Sequence, residues 1–363
     1  MQNERVTIVL VALRRDDSTT SKTNVSPDRM SPRKRLARAL LCFFTVLCAA
    51  STAPSRARAQ PNLKKIRLGI AATSVGFLPI YAAYHRGFFK DEGIDLEIIL
   101  MSLAAANNAF VKGEIDYSAG LTGLALAAMR NYPAKILIFT VAKPLQSFMS
   151  RREIKEPRDL RGKKVAGSSP GGSATILAYQ ALKHFGLEPG KDVQVLPMGG
   201  SGAGRLAVLE QGVVDASLLS VPENILALHK GYNELIFLGD VLSFPQNGFG
   251  TSTARIQQQP EEVYRMVRAT LRGLLFVTDD SQLDAVREIM MKQWRVSDGK
   301  LAAEILGYLK RGFAKDALVG QEAVQYFIDL TRESSNVAQS ISAGQVVDFT
   351  FLDRARKELR SEK

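Results

Sequence analysis

Short apolar runs alternate with segments of helical periodicity from residue 65 to residue 238. In the first part of this region, strands are predicted at 65–70, 96–100, 117–121 and 136–141, and helices at 77–90, 104–111 and 123–130. Strands that alternate with helices of this length indicate βαβ units and a parallel sheet. We therefore expect an α/β fold, with ligand-binding loops where the strands end.

A six-residue pattern at 113–118, with Gly first, Asp fourth and Ser last, returns at 212–217, a spacing of 99 residues. The second half repeats the order of elements, with strands predicted at 164–166, 193–196, 216–219 and 235–238, and helices at 174–185, 205–211 and 222–230. A period this long indicates two α/β units of similar build. Two such units side by side form a cleft, and clefts of this kind bind small ligands.

Beyond Pro260 the pattern is helical only, with helices predicted at 260–279, 282–293, 299–312, 321–333 and 350–360. Crossovers at about 145–152 and 246–254 would let the chain leave the first unit, build the second and return. Lobe one would then comprise 60–147 and 252–363, and lobe two 148–251. The helices that follow Pro260 would be additions to lobe one.

The first 59 residues have the features of a secretory signal peptide. A basic segment at 33–38 precedes an apolar run at 39–50, and Ala57-Arg58-Ala59 forms a cleavage site of small residues. The apolar run is too short to span a bilayer. Because export signals begin near the start of a chain, we expect Met30 to be the true start and cleavage to follow Ala59. The mature protein would be periplasmic.

Charge and cysteine content exclude several classes of function. The chain has a formal net charge of +12, but residues 1–59 hold 11 Lys/Arg and 4 Asp/Glu, so the remaining 304 residues carry +5. This part has no basic block that would follow phosphates, so nucleic-acid binding is not indicated. The two cysteines, Cys42 and Cys48, precede the cleavage site. The mature chain therefore has no disulfide, thiolate metal site or cysteine nucleophile.

The expected ligand loops are rich in Gly, Ser and Thr and contain neither Arg nor Lys. They are 73–77, 101–102, 120–122, 167–173, 198–201 and 220–223. Free N–H groups at the helix starts and the side-chain hydroxyls suit an anionic or polar group held by neutral donors. The Gly-rich segment 167–174 stands out, although a turn with Ser173 as N-cap also explains it. Neither this segment nor 199–204 matches a nucleotide-binding motif, so no cofactor is expected.

Several single residues have two interpretations. Phe77 is a candidate to line the cleft, whereas Tyr81, one helical turn later, is more typical of a core position. Glu223 either favours the dipole at its helix start or points into the cleft towards a cationic or hydroxylated ligand. For Asp116 and Asp215, which recur in the repeat, turn capping is favoured over catalysis. The three histidines have neither metal-ligand spacing nor a neighbouring nucleophile, so no catalytic or metal site is expected.

Four segments of the chain resemble one family of transport proteins. They are 76–83, which leads into 86–96, the Gly-x-Ile-Asp repeat, the segment 159–165 and the segment 347–352. They are similar to solute-binding proteins of ABC importers in the nitrate/sulfonate/taurine and thiamine-precursor group. The resemblance implies the type II periplasmic-binding-protein fold, in which each lobe is a mostly parallel sheet flanked by helices. It also implies closure of the two lobes around one small solute.

The resemblance also implies which residues bind the solute and which proteins receive it. The implied ligand-binding positions are Ser74, Phe77, Gly120, Thr122, Ser168, Ser169, Gly172, Ser173, Ser201, Pro222 and Glu223. The implied partners are the permease and ATPase subunits of an importer, and we expect a monomer. Since the loops lack Arg and Lys, a larger, partly aromatic or weakly polar solute is favoured over a small sulfonate or nitrate.

Two other functions remain open at this stage. Enzymes of a pyrimidine-synthase branch share the implied fold, but they use a histidine and a Cys-rich segment. The absence of cysteine from the mature chain counts against that reading. A sensory protein that presents its ligand to a membrane receptor would have the same sequence features as a transport protein.

Overall fold

The structure is a computed structural model that describes residues 63–71, 73–198 and 201–362. The predicted signal peptide and the start at Met30 lie outside the described residues. Within these residues, no helix combines the length and apolar character needed to cross a membrane.

The described strands form two five-stranded sheets. In chain order they are β1 Lys64–Ile70, β2 Ile94–Leu100, β3 Tyr117–Ser118, β4 Ala134–Val141, β5 Gln146–Ser150, β6 Lys164–Gly167, β7 Gln194–Pro197, β8 Ala216–Ser220, β9 Asn233–Phe237 and β10 Gln246–Ser252. Sheet one has the order β2-β1-β3-β10-β4, and sheet two has the order β7-β6-β8-β5-β9. Helices flank both sheets, which confirms the predicted α/β architecture of two similar units.

Each sheet has four strands in one direction and one strand against them, which agrees with the mostly parallel sheets that the resemblance implied. In sheet one, β1 runs parallel to β2 and β3, but β10 is antiparallel to both of its neighbours. In sheet two, β6 runs parallel to β7 and β8, but β5 is antiparallel to both of its neighbours. The two antiparallel strands are those that arrive from the other sheet. A strand that enters from outside a βαβ series is free to run against its neighbours.

The chain passes between the sheets twice. One passage, at 142–145, joins β4 of sheet one to β5 of sheet two, and the other, at 238–245, joins β9 to β10. Both lie a few residues before the predicted crossovers. The residues after each passage are not linkers but buried strands, since Ser147 and Phe249 are completely inaccessible.

The helices are numbered here in chain order among the described residues. They are α1 Leu78–His85, α2 Phe88–Asp91, α3 Leu103–Val111, α4 Leu121–Met129, α5 Ser173–His184, α6 Gly202–Glu210, α7 Glu223–His229, α8 Thr253–Gln258, α9 Pro260–Thr278, α10 Leu283–Trp294, α11 Gly299–Gly312, α12 Gln321–Ser334, α13 Ala343–Val346 and α14 Thr350–Ser361. The prediction of a single helix at 77–90 was wrong. Two helices, α1 and α2, occupy this segment, because Gly87 has a left-handed φ of 78° and separates them. The strand predicted at 117–121 ends at Ser118, since α4 already begins at Leu121.

The aspartates of the repeat have the same role in both sheets. A carboxylate oxygen of Asp116 accepts a hydrogen bond from the Arg67 backbone N–H of β1 at 2.7 Å. Asp215 accepts one from the Lys164 backbone N–H of β6 at 2.9 Å. Asp116 thus holds the start of β3 against β1, and Asp215 holds the start of β8 against β6. Both aspartates therefore have a structural role, but each binds the backbone of a distant strand, whereas the sequence favoured capping of the local turn.

Helix α12 joins the two sheets through a shared core. The Phe327 ring packs 5.8 Å from the ring of Phe139 in β4, and the same buried cluster includes Phe148 in β5. The adjacent residue, Tyr326, donates from its hydroxyl to Gln180 of α5 at 3.4 Å. The C-terminal helices therefore contact both sheets and are not confined to the first one.

Candidate functional site

A cavity of about 650 Å³ lies where the carboxyl ends of the parallel strands of both sheets meet. Its walls are formed by residues that follow β1, β2 and β3 of sheet one, by residues that follow β6 and β7 of sheet two, and by Ser220 at the end of β8. The chain that returns to sheet one, at 244–247, and helix α12 complete the lining. This volume lies within the range of pockets that bind drug-sized molecules.

Eight of the eleven implied ligand-binding residues line this cavity. Sheet one contributes Ser74, Phe77, Gly120 and Thr122, and sheet two contributes Ser168, Ser169, Gly172 and Ser173. Ser201, Pro222 and Glu223 are not in the lining. Ser201 is exposed and caps α6, where its hydroxyl accepts a hydrogen bond from the Gly204 N–H at 3.3 Å. Tyr81 also lies outside the cavity and packs edge-on against Trp294 at 5.2 Å.

On the sheet-one side, Ser74 begins the short helical turn that carries Phe77 into the cavity. The Ser74 hydroxyl accepts a hydrogen bond from the Gly76 N–H at 3.2 Å. Gly76 is needed here, because a Cβ at this position would lie 2.5 Å from the side-chain oxygen of Asn247, another lining residue. The Trp294 indole donates to the Thr73 carbonyl at 2.8 Å. The loop is therefore fastened to the returning chain and to α10.

On the sheet-two side, the Gly-rich loop is held by its own hydrogen bonds. The Thr175 hydroxyl donates to the carbonyls of Ser168 and Ser169 at 3.1 and 3.2 Å, and the Ser168 hydroxyl accepts from the Thr175 N–H at 3.3 Å. A side chain on Gly172 would meet the Ser168 hydroxyl. Gly172 is the N-cap of α5, so the alternative that made Ser173 the N-cap was wrong. Close packing within the loop explains much of its glycine content.

Aromatic rings form one wall of the cavity. Phe244 and Phe327 line it with their ring centroids 5.2 Å apart, and Phe77 lies on the sheet-one side. All three are at most 6% exposed. Such a wall offers apolar surface to a planar or aliphatic part of a solute, while the hydroxyls opposite bind its polar groups.

The sequence analysis missed a cation at the cavity. Arg205 lines it and is only 4% exposed, although the expected ligand loops contain neither Arg nor Lys. The reason is its position, since Arg205 lies in the first turns of α6 and not in the loop before it. Its Nε donates to the Leu218 carbonyl of β8 at 2.9 Å, which directs the side chain back towards sheet two. Burial lowers the pKa of the Arg205 guanidinium, and the charge of Glu223 opposes this shift.

Glu223 lies behind Arg205 and outside the lining. A Cβ on Gly202 would lie 2.6 Å from a carboxylate oxygen of Glu223, so this carboxylate packs against the first turn of α6. Burial raises the pKa of Glu223, and Arg205 opposes that shift. Of the two interpretations of Glu223, the position in the first turn of its helix is observed, and the position in the cavity is not. It does begin α7, yet its carboxylate faces the helix that carries Arg205.

Four amide side chains were also missed. Asn107, Gln146, Gln246 and Asn247 line the cavity, and Gln146 and Gln246 are 8% and 7% exposed. Gln146 and Gln246 begin the two antiparallel strands β5 and β10, which the sequence analysis did not predict. The Oε1 atom of Gln146 is buried and has no hydrogen-bond partner among the described residues. An amide in this state retains hydrogen-bonding capacity at the cavity wall.

Comparison with known proteins agrees with this architecture. Riboflavin-binding protein RibY of Chloroflexus aurantiacus is 27% identical over 241 residues, which cover 63% of this chain and 67% of RibY. The structure of a putative periplasmic sulfonate-binding protein, SsuA of Methylobacillus flagellatus, superimposes with a TM-score of 0.65 at 19% identity, covering 83% of this chain and 96% of that one.

An enzyme has the same fold. The desulfurization enzyme DSZB superimposes with a TM-score of 0.59 at 18% identity, covering 83% of this chain and all of that one. Likenesses at these identities establish the fold and leave the activity open. The family is established by a match of another kind. The family model described as NMT1/THI5 like matches residues 74–282, more than half of the 363 residues, and the chain belongs to this NMT1/THI5-like family.

Proposed function

We propose that this chain is the exported solute-binding component of an ABC-type importer and that its cavity encloses one small organic solute. The single observation that carries the proposal is the position of the cavity, at the carboxyl ends of the parallel strands of both sheets. A solute there contacts residues of both sheets at once. It would therefore favour the arrangement in which the sheets are close, by a shift of population.

The two sheets support a division into two lobes, with the passages at 142–145 and 238–245 as hinges. Lobe one would be 60–147 with 252–363, and lobe two 148–251, apart from a few residues at each border. The proposal places the mature protein in the periplasm after removal of residues 1–59. The permease and ATPase subunits would then receive the solute at the membrane, and the binding protein would act as a monomer.

The cavity volume and its lining favour an organic solute over a small inorganic ion. About 650 Å³ greatly exceeds what a nitrate ion fills, and three phenylalanine rings line part of the wall. Hydroxyls and amides on the other walls would bind the polar groups of the solute. RibY is named for riboflavin binding. A heteroaromatic solute of similar size is thus the first class to test.

An enzymatic function is the second candidate, because DSZB shares the fold. Three observations oppose it. The chain has no cysteine after Cys48. His85 and His229 pair with Gln293 and Glu304, and no histidine lines the cavity. Among the described residues, no group of three His, Cys, Asp or Glu side chains could hold a metal ion.

The test of the proposal begins with freshly purified mature protein. Denaturation should release a small molecule that mass spectrometry identifies, and adding it back to solute-free protein should raise the melting temperature. At 100 times its Kd, a solute stabilises the folded state by about 2.7 kcal/mol. If no solute is released and none of a broad panel raises the melting temperature, the proposed function is refuted. Chemical conversion of the released solute by the purified protein would favour the enzymatic alternative.

A further inference from the structure

The charge of the cavity depends on one residue. Of the described residues that line it, only Arg205 carries a formal charge, while the other polar members are hydroxyls and amides. The preference of the cavity for charged or uncharged solutes therefore depends on Arg205 and on the charged groups close to it.

Arg205 is held in a water-poor position. It is 4% exposed, and its Nε is bound to the Leu218 carbonyl at 2.9 Å. The guanidinium therefore cannot swing out to solvent without losing this hydrogen bond. Since few water molecules screen a buried charge, any charged group nearby acts on it strongly.

A carboxylate, that of Glu223, lies against the same helix face. The Glu223 carboxylate packs against Gly202, within 2.6 to 3.0 Å of the position that a Cβ would occupy there. Gly202 is three residues before Arg205, which places both residues on one face of α6. The two side chains influence each other, since Arg205 opposes the rise in the pKa of Glu223.

With Glu223 ionised, the two opposite charges would leave this wall without net charge. An anion in the cavity would be attracted by Arg205 and repelled by Glu223, and it would also lose its hydration. Without a surplus of positive charge, the wall cannot offset the free-energy cost of removing the anion from water. An uncharged solute with hydrogen-bonding groups avoids this cost and can use the hydroxyls and the Gln146 amide.

We propose that Glu223 is a specificity-determining residue that makes the cavity select an uncharged polar solute and reject anions. This inference rests on the proposed solute-binding function and adds the charge class of the solute. It also assigns a role to Glu223 that requires no contact with the solute. Removal of the carboxylate should leave Arg205 with a surplus positive charge and so favour anions.

The experiment compares the protein with E223Q by native mass spectrometry, after each has been stripped of bound solute. The probes are two matched pairs, riboflavin with riboflavin 5′-phosphate and naphthalene-2-sulfonamide with naphthalene-2-sulfonate. The unaltered protein should bind the uncharged member of a pair in preference. In E223Q the ratio of bound anion to bound uncharged probe should rise about tenfold or more, because one buried charge has been removed.

The matched control is E210Q, which removes a carboxylate from the last turn of the same helix. Glu210 pairs with Lys230 at 2.6 Å and does not line the cavity, so the binding ratio should stay as in the unaltered protein. A circular dichroism melt verifies that E223Q is folded. If E223Q does not fold, two other variants test the inference: E223D, which keeps the charge, should leave the ratio unchanged, and R205Q, which removes the cation, should lower the ratio of bound anion to bound uncharged probe.

The remaining outcomes separate this inference from the proposed function. Preference of the unaltered protein for either anion, or an unchanged ratio in E223Q, overturns the charge selection and leaves solute binding intact. A protein that takes none of the four probes also overturns it. The proposed function fails as well only if the freshly purified protein releases no solute on denaturation.

Discussion

The substitution Gly123→Ala tests whether Asn107 is held at the cavity by the absence of a side chain opposite it. Gly123 lies in the first turn of α4, and a Cβ there would lie 2.7 Å from Cγ and 2.9 Å from Nδ2 of Asn107. Contacts this short do not occur, so the amide must turn away. Because Asn107 lines the cavity, its displacement should weaken solute binding.

The expected change in stability is small, since two effects oppose each other. Replacement of a helical glycine by alanine stabilises the fold by about 0.8–1 kcal/mol. Forcing Asn107 off its rotamer costs about 0.5–1.5 kcal/mol. Loss of one neutral hydrogen bond to the solute costs about 0.5–1.5 kcal/mol, which raises the Kd about 2- to 12-fold. Thermal unfolding and titration calorimetry with the solute released from the purified protein measure the two quantities.

Gly307→Ala in α11 is the matched control, because no atom lies within 4 Å of the position its Cβ would occupy. It should raise the melting temperature by about 1–3 °C and leave the Kd unchanged. In a chain that already carries Asn107→Ala, Gly123→Ala should stabilise as much as this control does. The reasoning is refuted if Gly123→Ala alone matches the control in stability and keeps the affinity for the solute.

Three further predictions concern the core, the cavity wall and the pH dependence. Gly273→Ala in α9 should lower the free energy of unfolding by about 1–3 kcal/mol, because its Cβ would meet the Pro79 carbonyl of α1. An unchanged midpoint in a urea titration would contradict this prediction. Gln146→Met should stabilise the solute-free protein by up to about 1 kcal/mol, because it removes a buried oxygen that has no hydrogen-bond partner among the described residues. The same substitution should weaken solute binding measured by calorimetry, and an equal affinity would exclude a role for this amide. Burial and a hydrogen bond to Glu358 raise the pKa of Tyr264 to about 12, so the folded state holds this proton more tightly than the unfolded state. The contribution of Tyr264 to stability is therefore complete below pH 10 and is lost as the pH rises through about 12. Tyr264→Phe should reduce the loss of stability that thermal melts show at alkaline pH. An identical pH profile in the variant would refute this account.

The C-terminal helices show what the sequence pattern predicts well. The predicted helices at 260–279 and 299–312 agree with α9 and α11 to within one residue. Both have apolar residues at helical spacing on one face and charged residues on the other, so the pattern alone indicates their type and length. The repeat likewise predicted two units, because each copy keeps the Gly and Asp that begin a strand.

The two strands that arrive from the other sheet show where the pattern fails. β5 begins with Gln146 and has no β-branched residue, and β10 contains Gly248 and Gly250 and has Thr251 as its one β-branched residue, so neither has the composition that indicates a strand. Their strand form comes from pairing on both sides with residues far away in the chain. Gly248 and Gly250 are also needed there, since a Cβ on either would meet the carbonyl of Ile138 or Lys135 in β4.

The candidate site was predictable as far as it follows from topology. The loops after parallel strands converge on one cleft, and Ser74, Thr122 and Ser168 line it for that reason. Arg205 could not be found in this way, because a helical arginine with apolar neighbours has the same sequence signature as one on a solvent-exposed face. Only its burial and its hydrogen bond to Leu218 distinguish the two cases.

Residues that recur in the repeat stabilise the two sheets, whereas residues that do not recur give the cavity its charge. Positions that recur, such as Asp116 and Asp215, fix strands in both sheets and do not line the cavity. The residues that give the cavity its charge character do not recur. Arg205 corresponds at the repeat spacing to Ala106, so the cation exists on the sheet-two side only. A solute would therefore meet hydroxyls and amides on one side, and on the other side Arg205, whose charge Glu223 is proposed to balance from outside the lining. We expect this asymmetry to favour one orientation of a solute in a cavity that is framed by two similar sheets.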